Sequence, residues 1–202
     1  MMASTRGRLA ALLMLLVIGW IGCASGPAPR DHFYRLDIAA PAELPSPALP
    51  GVLEVDRLRV EAIAQGRRML YRDASLPNVI GQYNYHFWAN PPGLMLQDQL
   101  AQSLRAAGAA KVVVTPGIHV DSDFTLKGRL VRLERHTGSG APRIAVEIEF
   151  ALLRAKGNEL LLQKNYSEER AVAGDDIGRS ITAYQDAVST IFQQLVDDLP
   201  RL

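Results

Sequence analysis

The chain has 202 residues with 48% hydrophobic content, and its 22 Lys and Arg nearly balance its 21 Asp and Glu at a formal net charge of +1. Proteins that bind nucleic acid concentrate basic residues on one face. The arginines here are interleaved with Glu and Asp along the chain, so we exclude nucleic acid as a partner. Cys23 is the only cysteine, which excludes an intramolecular disulfide and a cysteine-based metal site.

The N-terminal segment has the parts of an export signal. Arg6 and Arg8 precede an apolar run over residues 9–18, and a small residue, Gly22, stands before the cysteine. This run is much shorter than the roughly 20 apolar residues that a membrane-spanning helix needs. We therefore predict a signal peptide over residues 1–22, whose removal with both arginines changes the formal net charge from +1 to −1.

Cys23 and the small residue before it resemble the lipobox of bacterial lipoproteins, although Trp20 stands where that pattern prefers leucine. The resemblance implies a covalent diacylglycerol and an N-acyl chain on Cys23, with no other cofactor. An ordinary secretory signal with a coincidental cysteine is the alternative. An aspartate directly after the acylated cysteine resembles an inner-membrane retention signal in many Gram-negative bacteria. This chain has Ala24 at that position. We therefore expect anchoring in the outer membrane, on its periplasmic face.

The segment after the cysteine predicts a tether followed by extended structure. Residues 23–31 contain Gly and Pro and are predicted to be a lipidated tether before a single domain over residues 32–202. Residues 33–38 are rich in strand formers, and the prolines of residues 41–50 predict an extended loop. Residues 52–60 predict a strand whose apolar residues change face midway, which indicates a bulge.

Residues 68–72 and 79–88 predict a hairpin. Period-two alternation in its second strand puts Tyr83, Tyr85 and Phe87 on one face, and Asn84, His86 and Trp88 on the other.

Exposed aromatic and arginine side chains are typical of binding interfaces. The hairpin therefore supplies the candidate partner-binding residues, which are Tyr71, Arg72, Tyr85, His86 and Trp88. For Trp88 the alternative is that it covers the first helix. For Tyr71 and Arg72 the alternative is a place within the sheet, the arginine extending its charged end to solvent.

Two segments have the apolar spacing of amphipathic helices. In residues 96–107 the apolar side chains recur every three or four positions, and Gly108 predicts the helix end. A second stripe runs over residues 177–199, preceded by Asp175 and Asp176, which favour a helix N-terminus.

Between the two helices the pattern is that of strands. Residues 112–114 predict a short buried strand. Residues 124–133, 144–152 and 159–170 predict an antiparallel meander, with turns at Gly138–Gly140 and Gly157–Asn158. The order of elements predicts an α+β fold, with two helices packed on one face of a mainly antiparallel sheet.

Three short motifs, in this order and spacing, resemble those of the ABC-type transport auxiliary lipoproteins, the group that includes PqiC. The motifs are Phe33-Tyr34-Arg35-Leu36, Met69-Leu70-Tyr71-Arg72 and His86-Phe87-Trp88-Ala89. The resemblance implies an accessory subunit of an MCE-type ABC transport system, which moves lipid between the inner and outer membranes and supports envelope integrity. The implied partner is the MCE-domain subunit. Phospholipid and a second copy of the chain are further candidate partners.

Enzymatic activity is the rival class. The histidines lack the spacing that puts two imidazoles on one helix face; they are His32, His86, His119 and His136. Ser139 lies between glycines in a turn, and Asp121 and Asp123 are typical of solvated turn positions. We therefore predict neither catalysis nor a metal site. An assembly factor unrelated to MCE transport and a lipid-binding carrier are the remaining alternatives.

Overall fold

The structure is a computed structural model that describes residues 28–138 and 140–201. The predicted signal peptide, the acylation residue Cys23 and the turn residue Ser139 lie outside the described residues. Within them a compact unit begins at Asp31. No helix of the described part is long and apolar enough to cross a membrane.

Nine strands and two α-helices form the described part. The strands are β1 (His32–Tyr34), β2 (Leu49–Val55), β3 (Arg59–Val60), β4 (Arg68–Asp73), β5 (Ile80–Trp88), β6 (Ala110–Val114), β7 (Phe124–Thr137), β8 (Arg143–Arg154) and β9 (Glu159–Ala171). The helices are α1 (Pro92–Ala106) and α2 (Ile177–Asp198). Short 3-10 turns occupy Ala62–Ala64, Pro116–Ile118 and Leu199–Arg201. The first predicted strand ends early, at Tyr34, and the predicted strand over residues 52–60 is divided into β2 and β3.

Strand β7 organises the sheet. One edge of β7 pairs with the antiparallel β8, which pairs in turn with β9. The other edge pairs in parallel with β2, then β3, then β4 along its length. Strand β6 extends the sheet from β2, while β5 and then β1 extend it from β4. The meander is therefore confirmed, but the sheet is mixed and curled rather than mainly antiparallel. Parallel pairing across long connections leaves no local pattern in the sequence.

The two helices share one hydrophobic core with the sheet. Leu96, Leu100 and Leu104 of α1 are buried, as their spacing predicts. Gly108, just beyond this helix, has a φ of +64°, a conformation that glycine adopts without strain. The α2 N-terminus is capped by Asp176, whose carboxylate accepts a hydrogen bond from the Gly178 N–H at 3.0 Å.

Candidate partner-binding surface

Strand β5 contains a bulge that the alternation of its residues does not predict. The register moves from Arg68 opposite Phe87 to Leu70 opposite Gln82, so β5 carries extra residues between these pairs. Within this irregular stretch the Arg68 guanidinium donates to the Tyr83 carbonyl at 3.1 Å. As a result, Tyr83 lies on the inner side of the sheet, contrary to the expectation that it shares a face with Phe87.

A row of aromatic rings lies on that inner side. Tyr71 and Tyr83 have ring centroids 4.8 Å apart, and Tyr83 meets His86 edge-on at 5.6 Å. His86 stacks on His32 at 5.2 Å, and its Nδ1 lies 2.9 Å from the Tyr34 hydroxyl. Burial lowers the pKa of His86, and the neighbouring His32 lowers it further. This row joins β1, β5 and β4, so His86 holds the sheet edge together.

Arg135 is a buried cation at the end of this row, with 3% of its side chain exposed. It donates to the Tyr83 hydroxyl at 3.0 Å, to the Ser180 hydroxyl at 3.1 Å and to the Asp175 carboxylate at 2.6 Å. Burial alone would lower the pKa of Arg135, but the bonds with Asp175 and Tyr83 outweigh burial and raise it. Arg135 therefore joins β5, β7 and the start of α2. Its position in a charged stretch of β7 offers no sequence signal for this role.

The outer side of the same hairpin presents an exposed surface. Phe33 is 55% exposed and stacks on Phe87 with ring centroids 5.4 Å apart. The Arg67 guanidinium lies 5.3 Å from the Phe33 ring centroid, and that of Arg68 lies 5.4 Å from the Phe87 ring centroid. We call these four residues, together with the 42% exposed Tyr85, the arginine–aromatic patch. Exposed aromatic and arginine side chains suit a protein interface.

The structure places two of the predicted partner-binding residues in internal contacts. Trp88 is only 1% exposed and packs edge-on against Tyr184 of α2, with ring centroids 5.3 Å apart. Trp88 is thus a core residue. Its aromatic contact is with the second helix, whereas the alternative weighed from the sequence named the first helix. Arg72 contacts Glu134 through two nitrogens, each 3.2 Å from a carboxylate oxygen, and donates to the Pro77 carbonyl at 2.5 Å. Arg72 therefore fixes β4 to β7.

Tyr71 is half-buried and lies over Gly81 of the neighbouring strand. A Cβ atom on Gly81 would overlap the Tyr71 ring, so the glycine is what allows the ring to lie there. Of the five predicted residues, Tyr85 is the one that is exposed. Phe33, Arg67 and Arg68 were not predicted, because their contact across β1, β4 and β5 depends on the sheet topology.

The polar residues weighed as catalytic or metal-binding candidates lie apart from one another and in different environments. No group of three His, Cys, Asp or Glu among the described residues is placed to hold a metal ion. Asp123 accepts a hydrogen bond from the Val52 N–H at 2.8 Å and fixes β2. His119 occupies a turn with a φ of 49°. His136 has a buried Nε2 without a hydrogen-bond partner in the described part, and burial lowers the pKa of this histidine.

The comparisons with known proteins agree with this fold. Residues 34–196 match the family model of the ABC-type transport auxiliary lipoprotein component, so the chain belongs to that family. A search of curated proteins found no match.

Two solved structures have the same fold at low sequence identity, and a third is less similar. A Xanthomonas campestris protein assigned to family DUF330 is 19% identical, with a TM-score of 0.73 over 82% of this chain and 92% of that chain. An uncharacterised protein is 16% identical, with a TM-score of 0.60 over 86% of this chain and 98% of that chain. PelC, a dodecamer from Paraburkholderia phytofirmans, is 16% identical over 75% of this chain and 92% of that chain, with a TM-score of only 0.45.

Proposed function

We propose that this protein is a lipid-anchored periplasmic accessory subunit of an MCE-type ABC transport system, held at the outer membrane through Cys23. It assists lipid trafficking between the inner and outer membranes through contact with the MCE-domain subunit. The observation that carries the proposal is the match to the transport auxiliary lipoprotein family over residues 34–196. An accessory role needs a rigid domain and an exposed contact surface but no catalytic group.

The arginine–aromatic patch is the proposed contact surface. Phe33 and Tyr85 expose apolar and aromatic area, and Arg67 and Arg68 are held over aromatic rings in a defined geometry. Side chains of this kind dominate binding energies when a partner covers them. Tyr71, Arg72 and His86 support the patch from within the hairpin rather than contacting the partner directly.

The interior favours protein contact over acyl-chain carriage. Phe150 packs on Phe192 of α2 with ring centroids 6.5 Å apart, and Trp88 packs on Tyr184 of the same helix. All four of these side chains are fully buried. Aromatic rings thus fill the space between α2 and the sheet that an acyl chain would occupy in a carrier.

The test is photo-crosslinking in cells with the full-length protein. A photoreactive amino acid replaces Tyr85 in one strain and Leu160 in another, because Leu160 is a similarly exposed residue on β9. We expect the probe at position 85 to capture an MCE-domain protein and the probe at position 160 to capture much less. Adding Phe33→Ser to the position-85 strain should reduce capture further.

Recovery of only lipopolysaccharide-export or envelope-scaffold proteins at position 85 would contradict the transport role. Equal capture of the MCE-domain protein from both positions would retain that role but reject the arginine–aromatic patch as its contact surface. Thermal unfolding of the Phe33→Ser protein provides the folding control.

A further inference from the structure

A second surface, on the outer face of the sheet, carries an excess of positive charge. Arg59 of β3 stands in register with Arg129 of β7, so two guanidinium groups are neighbours across a parallel ladder. Arg129 donates to the Glu149 carboxylate at 2.9 Å. Arg59 has no ion pair or hydrogen-bond acceptor among the described residues. Like charges placed side by side cost stability, so an anion bound beside Arg59 would offset this cost.

Lys127 extends the same cluster. It lies two residues before Arg129 on the exposed side of β7 and pairs in register with Ala151. The strand opposite therefore supplies no carboxylate to Lys127. By contrast, Arg132 pairs with Glu147 and Arg154 with Glu159 further along the same sheet.

These cations line two adjoining clefts. A cleft of about 220 Å³ is lined by Arg59, Lys127 and Arg129, with the Glu149 carboxylate. Arg59 also lines a cleft of about 690 Å³ that includes Arg57 and Pro91, the residue before α1. Asp56 is the carboxylate of the larger cleft, and it accepts a hydrogen bond from the Arg57 N–H at 2.8 Å. Four cations therefore face two carboxylates. A net double positive charge remains.

The clefts lie near the point where the tether enters the domain. The Ala89 N–H donates to the Tyr34 carbonyl of β1 at 2.7 Å, and Pro91, two residues further on, lines the larger cleft. Nine steps along the chain separate Cys23 from His32, and they span at most about 32 Å when fully extended. An acylated Cys23 therefore keeps this end of the domain close to the lipid headgroups.

We propose that the basic clefts bind the phosphate of an anionic phospholipid headgroup in the membrane that carries the anchor. The proposal rests on the proposed lipid anchoring at Cys23. Arg57, Arg59 and Lys127 contribute to the net double positive charge of the clefts, and guanidinium groups suit phosphate oxygens. Contact with the surface would orient the domain on the membrane.

The test uses the purified, acylated full-length lipoprotein in protein-free vesicles. One set contains phosphatidylcholine alone, and the other contains equal parts of phosphatidylcholine and phosphatidylglycerol. A membrane-impermeant amine reagent labels the protein, and mass spectrometry compares Lys127 with Lys164. Lys164 is a suitable reference because it bonds to Asp198 on the helix side. A third arm adds inorganic phosphate to the phosphatidylcholine vesicles, and a fourth repeats the labelling in native membrane fractions.

We expect phosphatidylglycerol to slow labelling of Lys127 relative to Lys164 by about fivefold, because each basic residue at an anionic surface contributes about 1 kcal/mol. Arg59→Gln should remove most of this protection. Lys156→Gln, which removes one charge from the exposed turn between β8 and β9, should retain it.

Three results would overturn the proposal. One is equal labelling of Lys127 in both kinds of vesicle. Another is equal protection by free phosphate, which would assign the clefts to a soluble anion. The third is protection that appears only in native membrane fractions, which would assign them to a protein. The vesicles contain no transport subunit, so failure here leaves the crosslinking result intact, and failed crosslinking leaves this result intact.

Discussion

Two aromatic residues three positions apart in β5 have opposite environments. Trp88 is buried against Tyr184, whereas Tyr85 is exposed. We expect Trp88→Ala to lower the free energy of unfolding by about 3–5 kcal/mol, because it leaves a cavity in the core. Tyr85→Ala should change it by no more than about 0.5 kcal/mol while reducing partner capture. Urea unfolding of the two variants checks this difference, and similar midpoints would refute it.

Localisation is proposed to depend on Cys23. We expect Cys23→Ala to abolish incorporation of labelled palmitate and to remove the protein from the outer-membrane fraction, because no thiol remains to be acylated. Ser25→Ala, a substitution of a neighbouring polar residue, is the control and should leave both unchanged. Normal membrane retention of the Cys23→Ala protein would defeat the prediction.

At the scale of an element, the β4–β5 hairpin depends on a close approach between Tyr71 and Gly81. Gly81→Ala should lower the free energy of unfolding by about 1–3 kcal/mol, because the added methyl group displaces the ring. In a Tyr71→Ala background the same substitution should cost much less. Gly66→Ala is a matched control, since an added Cβ there has no neighbour within 4 Å.

A double-mutant cycle with urea unfolding measures this coupling. Additive effects of the Tyr71 and Gly81 substitutions would show that the ring contact is not what requires the glycine.

For the whole molecule, we expect the free energy of unfolding to decrease on mild acidification, because two histidines are partly buried. The pKa values of His86 and His136 are lowered from 6.5, mainly by burial. The unfolded chain therefore takes up protons near pH 6.5, where the folded protein does not. The contribution of these two histidines to the free energy of unfolding is fully present above that pH. It decreases towards the folded-state pKa values, by at most about 1.4 kcal/mol per pH unit for each histidine.

Urea unfolding at about pH 7.5, 6.5 and 5.5 checks this dependence across the histidine range. We expect His86→Gln to show a shallower decrease than the unsubstituted protein over this range. An unchanged slope would mean that His86 is protonated as easily in the folded protein as in the unfolded chain.

The sequence by itself determined the features whose signals are local. Apolar stripes located α1 and α2, and turn residues such as Gly157 and Asn158, both with positive φ, located the β8–β9 hairpin. The three short motifs indicated the family. These features depend on neighbours within a few positions of one another, so the pattern of side chains is sufficient to specify them.

Only the tertiary structure decided how distant segments meet. Parallel pairing of β4 with β7 puts Leu70 beside Glu134, and no local pattern encodes that contact. The β5 bulge moved Tyr83 inward, where it meets the buried Arg135, and left Tyr85 exposed. Hydrogen bonds and charge neighbours across such separations are set by the packing of the whole chain. Their physical basis is the burial of side chains against residues that the local sequence does not specify.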